Sequence, residues 1–93
     1  MLVIIKSAPD TSEGKRGVHL ACDASADLVL LQNGVYFAQK ERLGAISGAV
    51  YVLDDDKKLR GLKDAEMDDR AKTIDYDKLT DIITSGDKVT GMF

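Results

Sequence analysis

Three short apolar runs set the pattern of this chain: Leu2–Ile5, Leu28–Leu31 and Val50–Leu53. Each run is continuous rather than alternating, and each is rich in Val, Ile and Leu. Strands of a parallel sheet have this pattern, because helices cover both faces of the sheet and leave no solvated side. The runs therefore predict three buried parallel strands.

The segments between these runs are long enough for crossover helices, which parallel pairing requires. Residues 15–25 carry small and apolar side chains at helical spacing, and we expect a helix there. A second helix is expected over residues 34–43, with Gly44 as its C-cap.

The second half of the chain continues the alternation. A helix is expected to begin after Asp75 as its N-cap and to close at Gly86. Short strands are expected at Lys72–Ile74 and Lys88–Thr90. The apolar stripe of that last helix comprises Tyr76, Leu79 and Ile83. The whole pattern predicts an α/β fold: a three-layer α/β/α sandwich around a mostly parallel sheet of about five strands, formed by residues 1–93 as one domain.

Composition narrows the function classes. The 93 residues include 16 acidic and 13 basic side chains, for a formal net charge of -3. An acidic chain is a poor match for the phosphate backbone, so we do not expect the chain to hold nucleic acid through its own phosphate contacts. The single cysteine excludes an intramolecular disulfide and a zinc cluster built from cysteines alone.

The start of the chain is apolar for only a few residues before Lys6. A secretory signal has a longer apolar centre after a basic start, and a membrane-spanning helix needs about 20 apolar residues. We therefore expect a cytoplasmic protein that does not enter the membrane.

Ligands and partners of open α/β sheets meet the crevice beyond the carboxyl ends of the strands. There the chain has Gln32, Asn33 and Gly34, in which Asn-Gly suits a tight turn with positive φ. Turn chemistry is one interpretation, and a polar rim that contacts a partner is the other. Tyr36, at the start of the next helix, is an interface candidate rather than a catalytic one. Arg60 is either a solvated helix charge or a cation that holds an anionic ligand or a partner's carboxylate.

The run Asp54-Asp55-Asp56 follows the third predicted strand. Carboxylates at strand ends can bind Mg²⁺, but the neighbouring positions lack the further acids that such a site requires. We expect the run to begin a helix and to serve its cap and dipole. Neither a metal nor a cofactor is therefore predicted.

Cys22 is the one residue able to carry covalent sulfur chemistry. A reactive thiolate is favoured at a helix N-terminus or near cations, whereas Cys22 lies late in its predicted helix and precedes Asp23. Its spacing with Val18 and Ala21 turns it toward the sheet, so we expect a buried, structural cysteine. A pair with His19, three residues earlier, remains an alternative.

Short segments over nearly the whole chain match, in order, those of one known family. The segment after the second apolar run reads LLQNGVYFA, close to that family's LLIQDGVYAA, and a later one reads IDYDKLTDI. The matching segments are Leu2–Pro9, Leu30–Ala38, Val50–Leu53, Leu59–Leu62, Ile74–Ile82 and Asp87–Val89. On these segments the chain resembles the DsrH/TusB family of sulfur-relay proteins.

The resemblance implies an α/β subunit that assembles with two related subunits, TusC/TusD-like or DsrF/DsrE-like, and works with sulfur-carrier proteins. In the TusBCD type, persulfide sulfur passes toward 2-thiolation of the tRNA wobble uridine, and in the DsrEFH type it serves sulfur oxidation. The main sulfur-carrying cysteine of such complexes is usually on the TusD/DsrE-like subunit. We therefore expect a structural rather than catalytic subunit. The alternatives are a carrier that uses Cys22 and a homo-oligomeric interaction module.

Overall fold

The computed structural model describes residues 1–85 and 89–93. Its centre is a five-stranded sheet in the order β4-β3-β2-β1-β5, in which every neighbouring pair is parallel. The strands are β1 (Leu2–Ile5), β2 (Asp27–Leu30), β3 (Val50–Leu53), β4 (Ala71–Ile74) and β5 (Val89–Met92). The α/β class predicted from the apolar runs is confirmed, and β1 and β3 have the predicted bounds.

Helices cover both faces of this sheet. They are α1 (Ser12–Ala24), α2 (Asp54–Leu59) and α3 (Tyr76–Thr84), together with short 3₁₀ helices at Gln32–Ala38 and Asp64–Glu66. Alternate side chains of a strand point to opposite faces, so the buried strands supply two separate clusters. The larger cluster includes Val3, Ile5, Leu28, Leu30, Val50 and Val52 and packs with α1 and the 3₁₀ helix Gln32–Ala38. The smaller one includes Leu2, Ile4, Val29, Leu53 and Ile74 and packs with Leu79 of α3.

Helix α1 begins three residues before the predicted start. Thr11 is its N-cap, and the Thr11 side chain accepts a hydrogen bond from the backbone N–H of Gly14 at 3.0 Å. The helix ends at Ser25, whose left-handed backbone (φ 52°) lets its N–H donate to the carbonyls of Ala21 and Cys22.

The helix predicted over residues 34–43 is wrong. Only the 3₁₀ helix Gln32–Ala38 forms, and the chain is extended at Gln39, which bridges antiparallel to Met67. The carbonyl of Ala38 accepts from the N–H of Asp68 at 2.7 Å instead of from a continuing helix. Tertiary hydrogen bonds therefore replace the helical ones, and Gly44 (φ 58°) lies in a later turn and is no C-cap.

Helix α3 is capped as predicted, because the Asp75 side chain accepts from the backbone N–H of Lys78 at 2.8 Å. The predicted stripe is only partly buried. Leu79 packs on the sheet, whereas Tyr76 is 55% exposed and Ile83 is 40% exposed. The predicted helix end at Gly86 and the strand start at Lys88 lie outside the described residues.

The longest α-helix, α1, has 13 residues, whereas a membrane-spanning helix needs about 20. Within residues 1–85 and 89–93, no helix is both long and apolar enough to cross a bilayer.

Candidate functional site

The carboxyl ends of β2 and β3 bring two polar segments together. These strands are parallel neighbours, so the 3₁₀ helix Gln32–Ala38 and helix α2 begin at the same edge of the sheet. Gln32, Asn33, Asp56 and Arg60 meet there, and we call these four residues the rim. The structure thus joins Arg60 to the Gln-Asn pair, although 27 residues separate Arg60 from Asn33.

Three hydrogen bonds hold the rim. The backbone N–H of Gln32 donates to Asp56 Oδ2 at 2.7 Å, and Arg60 Nε donates to Asn33 Oδ1 at 3.0 Å. Arg60 Nη1 also donates to the carbonyl oxygen of Asp56 at 3.2 Å. The Arg60 side chain is only 18% exposed, so its guanidinium is held in one place rather than free in solvent.

Gly34 has a different role from the predicted one. The positive φ of this turn belongs to Gln32 (φ 49°), and Gly34 does not have a positive φ. Instead, Gly34 lies against β1, where a Cβ would overlap the carbonyl oxygen of Ile5. The glycine is therefore required by close backbone approach, and it brings the rim segment onto the end of β1.

The run Asp54-Asp55-Asp56 occupies the first turn of α2, as predicted, but none of the three aspartates caps that helix. The N-cap position is Leu53, and the carboxylate of Asp56 instead accepts from the N–H of Gln32 in the rim. Asp54 pairs with Lys58 at 2.8 Å, and this hydrogen bond raises the pKa of Lys58. In the part of the chain that the structure describes, no three His, Cys, Asp or Glu side chains are grouped closely enough to hold a metal ion.

Tyr36 lies outside the rim. It is half-buried, while its neighbour Phe37 packs into the core. Tyr36 lines a cavity of about 340 Å³ together with Arg42 and the turn Ala8–Asp10 that precedes α1. The predicted interface residues therefore divide into two places, and Tyr36 belongs with the loop that follows β1.

Cys22 lies in the last turn of α1 and is half-buried rather than fully buried. It packs against the larger core cluster and lines a mostly apolar cavity of about 320 Å³. His19 and Arg42 line the same cavity, so Arg42 borders both the Cys22 and the Tyr36 cavities. Cys22 thus lies at the C-terminal end of α1, in a cavity whose lining includes the cation Arg42.

Two ion pairs fix the segment between α2 and β4. Lys57 is buried and pairs with Asp64, and this hydrogen bond lowers the pKa of Asp64. Hydrogen bonds from Arg70 lower the pKa of Asp68 to about 2. Arg70 Nη1 also donates to the carbonyl oxygens of Gly44 and Ile46, each at 3.1 Å. Arg70 thereby ties the loop that carries Arg42 to the start of β4.

Sequence reasoning missed two residues of these sites. Asp56 is predicted at the same edge of the sheet as Gln32, within an acidic helix start, but nothing in the spacing predicts its hydrogen bond with the N–H of Gln32. Arg42 lies in the loop that replaces the second predicted helix, and a loop has no period that would place it beside Cys22. In the sequence, nothing distinguishes Arg42 from the nearby Lys40.

Comparison with known proteins gives a consistent result. The family model described as DsrH like protein matches residues 9–89. The solution NMR structure of protein Tm0979 from Thermotoga maritima is similar to this chain, with a TM-score of 0.69 and 29% sequence identity. That similarity covers 97% of this chain and 98% of that one. Among curated proteins, none matches this chain.

Proposed function

The chain belongs to the DsrH-like family, and on this basis we propose that it is a structural subunit of a complex that supports 2-thiolation of the tRNA wobble uridine. Family membership indicates a sulfur-relay subunit. The proposal adds the acceptor and assigns the transfer of sulfur to a partner.

The observation that carries the structural role is the position of Cys22. Its own carbonyl and that of Ala21 accept from the N–H of Ser25, so Cys22 lies at the negative end of the α1 dipole. Cys22 also packs on the core and is not freely exposed. A persulfide on this sulfur would be an anion at an unfavourable helix end, so a cysteine of a partner subunit is the better carrier.

The proposed partners are TusC-like and TusD-like subunits, and tRNA is reached only through them. The rim supports this assignment, because its hydrogen bonds hold polar side chains in fixed positions at the edge of the sheet, where a partner can meet them. The net charge of -3 also makes direct binding to tRNA unfavourable.

Reconstitution tests the proposal. The chain is co-expressed with the TusC-like and TusD-like subunits of its own genome, and tRNA 2-thiouridine is measured by mass spectrometry in a strain that lacks all three. We expect thiolation only when this chain is present, with Cys22→Ser at least half as active as the wild type. No assembly with the two subunits, or thiolation that is indifferent to this chain, would contradict the proposal.

The second candidate function is direct sulfur carriage by Cys22 in a DsrEFH-type complex. Its support is Arg42, which lines the cavity of Cys22 and is able to balance a persulfide anion. In this step the Cys22 thiolate attacks the outer sulfur of a donor persulfide. A new S–S bond forms on Cys22, the S–S bond of the donor breaks, and the donor thiolate leaves with the electron pair.

Mass spectrometry separates the two candidates. The purified chain is incubated with a low-molecular-weight persulfide, and Cys22→Ser is the control. A gain of one sulfur atom on the wild type, reversed by a reducing agent and absent from Cys22→Ser, favours the carrier. No gain under conditions that load the TusD-like subunit favours the structural role.

A further inference from the structure

The loop of residues 43–48, which lies between the 3₁₀ helix Gln32–Ala38 and β3, is held by few contacts. Among the residues that the structure describes, its backbone forms no hydrogen bond with other backbone groups. Two of its side chains, those of Leu43 and Ile46, are buried in the larger core cluster. A loop with so few backbone hydrogen bonds opens at a low cost in free energy unless another group fastens it.

Arg70 is the group that fastens this loop. Its Nη1 donates to the carbonyl oxygens of Gly44 and Ile46, each at 3.1 Å. Asp68 holds the rest of the same guanidinium, with Nε 3.0 Å from Oδ1 and Nη2 2.9 Å from Oδ2. A two-point pair of this kind fixes the plane of the guanidinium, so the two carbonyls meet a donor that is already oriented. We call Asp68 and Arg70 the clamp.

The 43–48 loop also forms one wall of the cavity that contains Cys22. Leu43, Gly44 and Ala45 line this cavity of about 320 Å³, and residues of α1 line it as well. The carbonyl oxygen of Gly44, which the clamp holds, therefore belongs to a residue of the cavity wall. Cys22 is half-buried, so a displacement of this wall changes how much of the sulfur a reagent can reach.

We propose that the clamp controls access to Cys22. While Asp68 and Arg70 hold the 43–48 loop, the cavity stays narrow, and release of the loop opens the cavity to small reagents in solution. Arg70 does not line the cavity, so it acts on Cys22 as a positioning residue, through the loop. This inference needs no partner subunit, because every residue in it belongs to this chain, and it holds whether Cys22 carries sulfur or only supports the core.

The test measures how fast iodoacetamide alkylates Cys22 in the purified, folded chain. Arg70→Ala removes the clamp, and Asp68→Asn leaves the arginine without its charged two-point pair. Lys72→Ala is the control for charge, because Lys72 is an exposed cation of the adjacent strand β4. Asp75→Ala is the control for stability, because it removes the N-cap of α3, which packs on the face of the sheet opposite to Cys22.

We expect Arg70→Ala to react about threefold or more faster than the wild type, Asp68→Asn to react faster by a smaller factor, and both controls to stay within about 1.5-fold. The rates are compared at several urea concentrations below the unfolding transition. Opening of one loop exposes little surface, so its rate should stay nearly constant, whereas a reaction through global unfolding accelerates with urea.

Backbone order parameters from NMR give a second readout, which a general loss of stability does not change. In the wild type we expect those of residues 43–48 to be close to the value of a rigid backbone, about 0.85, and in Arg70→Ala to fall below about 0.6. The order parameters of α1 should be the same in both chains.

Every outcome bears on the inference. If Arg70→Ala is alkylated within about 1.5-fold of the wild-type rate, or if its loop keeps the wild-type order parameters, the clamp does not control access and the inference is wrong. Equal acceleration by either control would also overturn it, because charge or global unfolding would then explain the effect. If Arg70→Ala does not fold, Asp68→Asn decides by the same two measurements.

Discussion

Gly34 lies so close to Ile5 that a Cβ on residue 34 would overlap the carbonyl oxygen of Ile5. The obstacle is backbone of β1, a buried strand inside the sheet, rather than the flexible end of a side chain. The close approach of the backbone at Gly34 to the backbone at Ile5 therefore positions Gln32 and Asn33 of the rim.

Gly34→Ala is expected to destabilise the fold by about 3 kcal/mol or more, the upper end of the cost of overpacking, because the atom that a Cβ would overlap is backbone and cannot rotate away. Chemical denaturation measures the free energy of unfolding. The contrast is Gly44→Ala: nothing lies within 4 Å of a Cβ at residue 44, and only its left-handed φ of 58° opposes the change. That conformation costs about 1–2 kcal/mol for an L-residue. Equal losses for the two variants would contradict the steric role of Gly34.

Asp56→Ala is expected to lower the free energy of unfolding by about 1.5 kcal/mol, because the N–H of Gln32 loses a charged acceptor. The amide of Gln32 should also exchange its hydrogen faster, as measured by NMR. Asp55→Ala is the control, because Asp55 is exposed on the same turn of α2. If the Gln32 amide exchanges at the same rate in both variants, the hydrogen bond to Asp56 does not protect it.

The pair Asp68–Arg70 predicts a dependence of stability on pH. The pKa of Asp68 is lowered from 3.8 to about 2 in the folded chain, so the folded state binds this proton less readily than the unfolded state. The stabilisation from the pair is therefore fully present above about pH 4 and is lost as the pH falls through about 2. An NMR titration of the Asp68 carboxyl should have its midpoint near 2.

Asp68→Asn should remove part of the fall in stability between pH 4 and 2, whereas Asp69→Asn, at the exposed neighbouring position, should leave that part in place. The measurement is the free energy of unfolding at several pH values. An unchanged slope in Asp68→Asn would contradict the contribution of the pair.

The position of Cys22 predicts slow alkylation. The side chain is half-buried and packs on the core, so iodoacetamide should react about tenfold more slowly with the folded chain than with the chain in urea. A folded chain that reacts faster than the unfolded one would favour Cys22 as the sulfur carrier.

The elements with a clear local pattern could be predicted from the sequence, whereas the contacts between distant segments could not. Continuous apolar runs predict strands β1 and β3, and Asp75 predicts the N-cap of α3. Each of these predictions depends only on local composition. Residues 34–43 have helical composition, but Ala38 bonds to Asp68 and Gln39 bridges to Met67. No local pattern shows that those partners compete with a helix.

In the candidate site too, the placement of whole segments was predictable, and the contacts between individual side chains were not. The polar segments after β2 and β3 were expected at one edge of the sheet, since the carboxyl ends of parallel strands share an edge. The hydrogen bond between Asn33 and Arg60 and the place of Arg42 beside Cys22 depend on side-chain directions and on a loop. Neither of these has a periodic signal in the sequence.

The order of the strands in the sheet also affects how the chain folds during its synthesis. Strand β1 is flanked on one side by β2 and on the other by β5, the last strand along the chain. The hydroxyl of Ser7 donates to the carbonyl of Phe93, 86 residues away, so the same closure continues past the end of β1. During synthesis β1 can pair early with β2, but its second edge stays open until the ribosome has released residues 89–92. Such long-range closure slows folding, and a chaperone or a partner that shields this edge of the nascent chain should therefore raise the yield of folded protein.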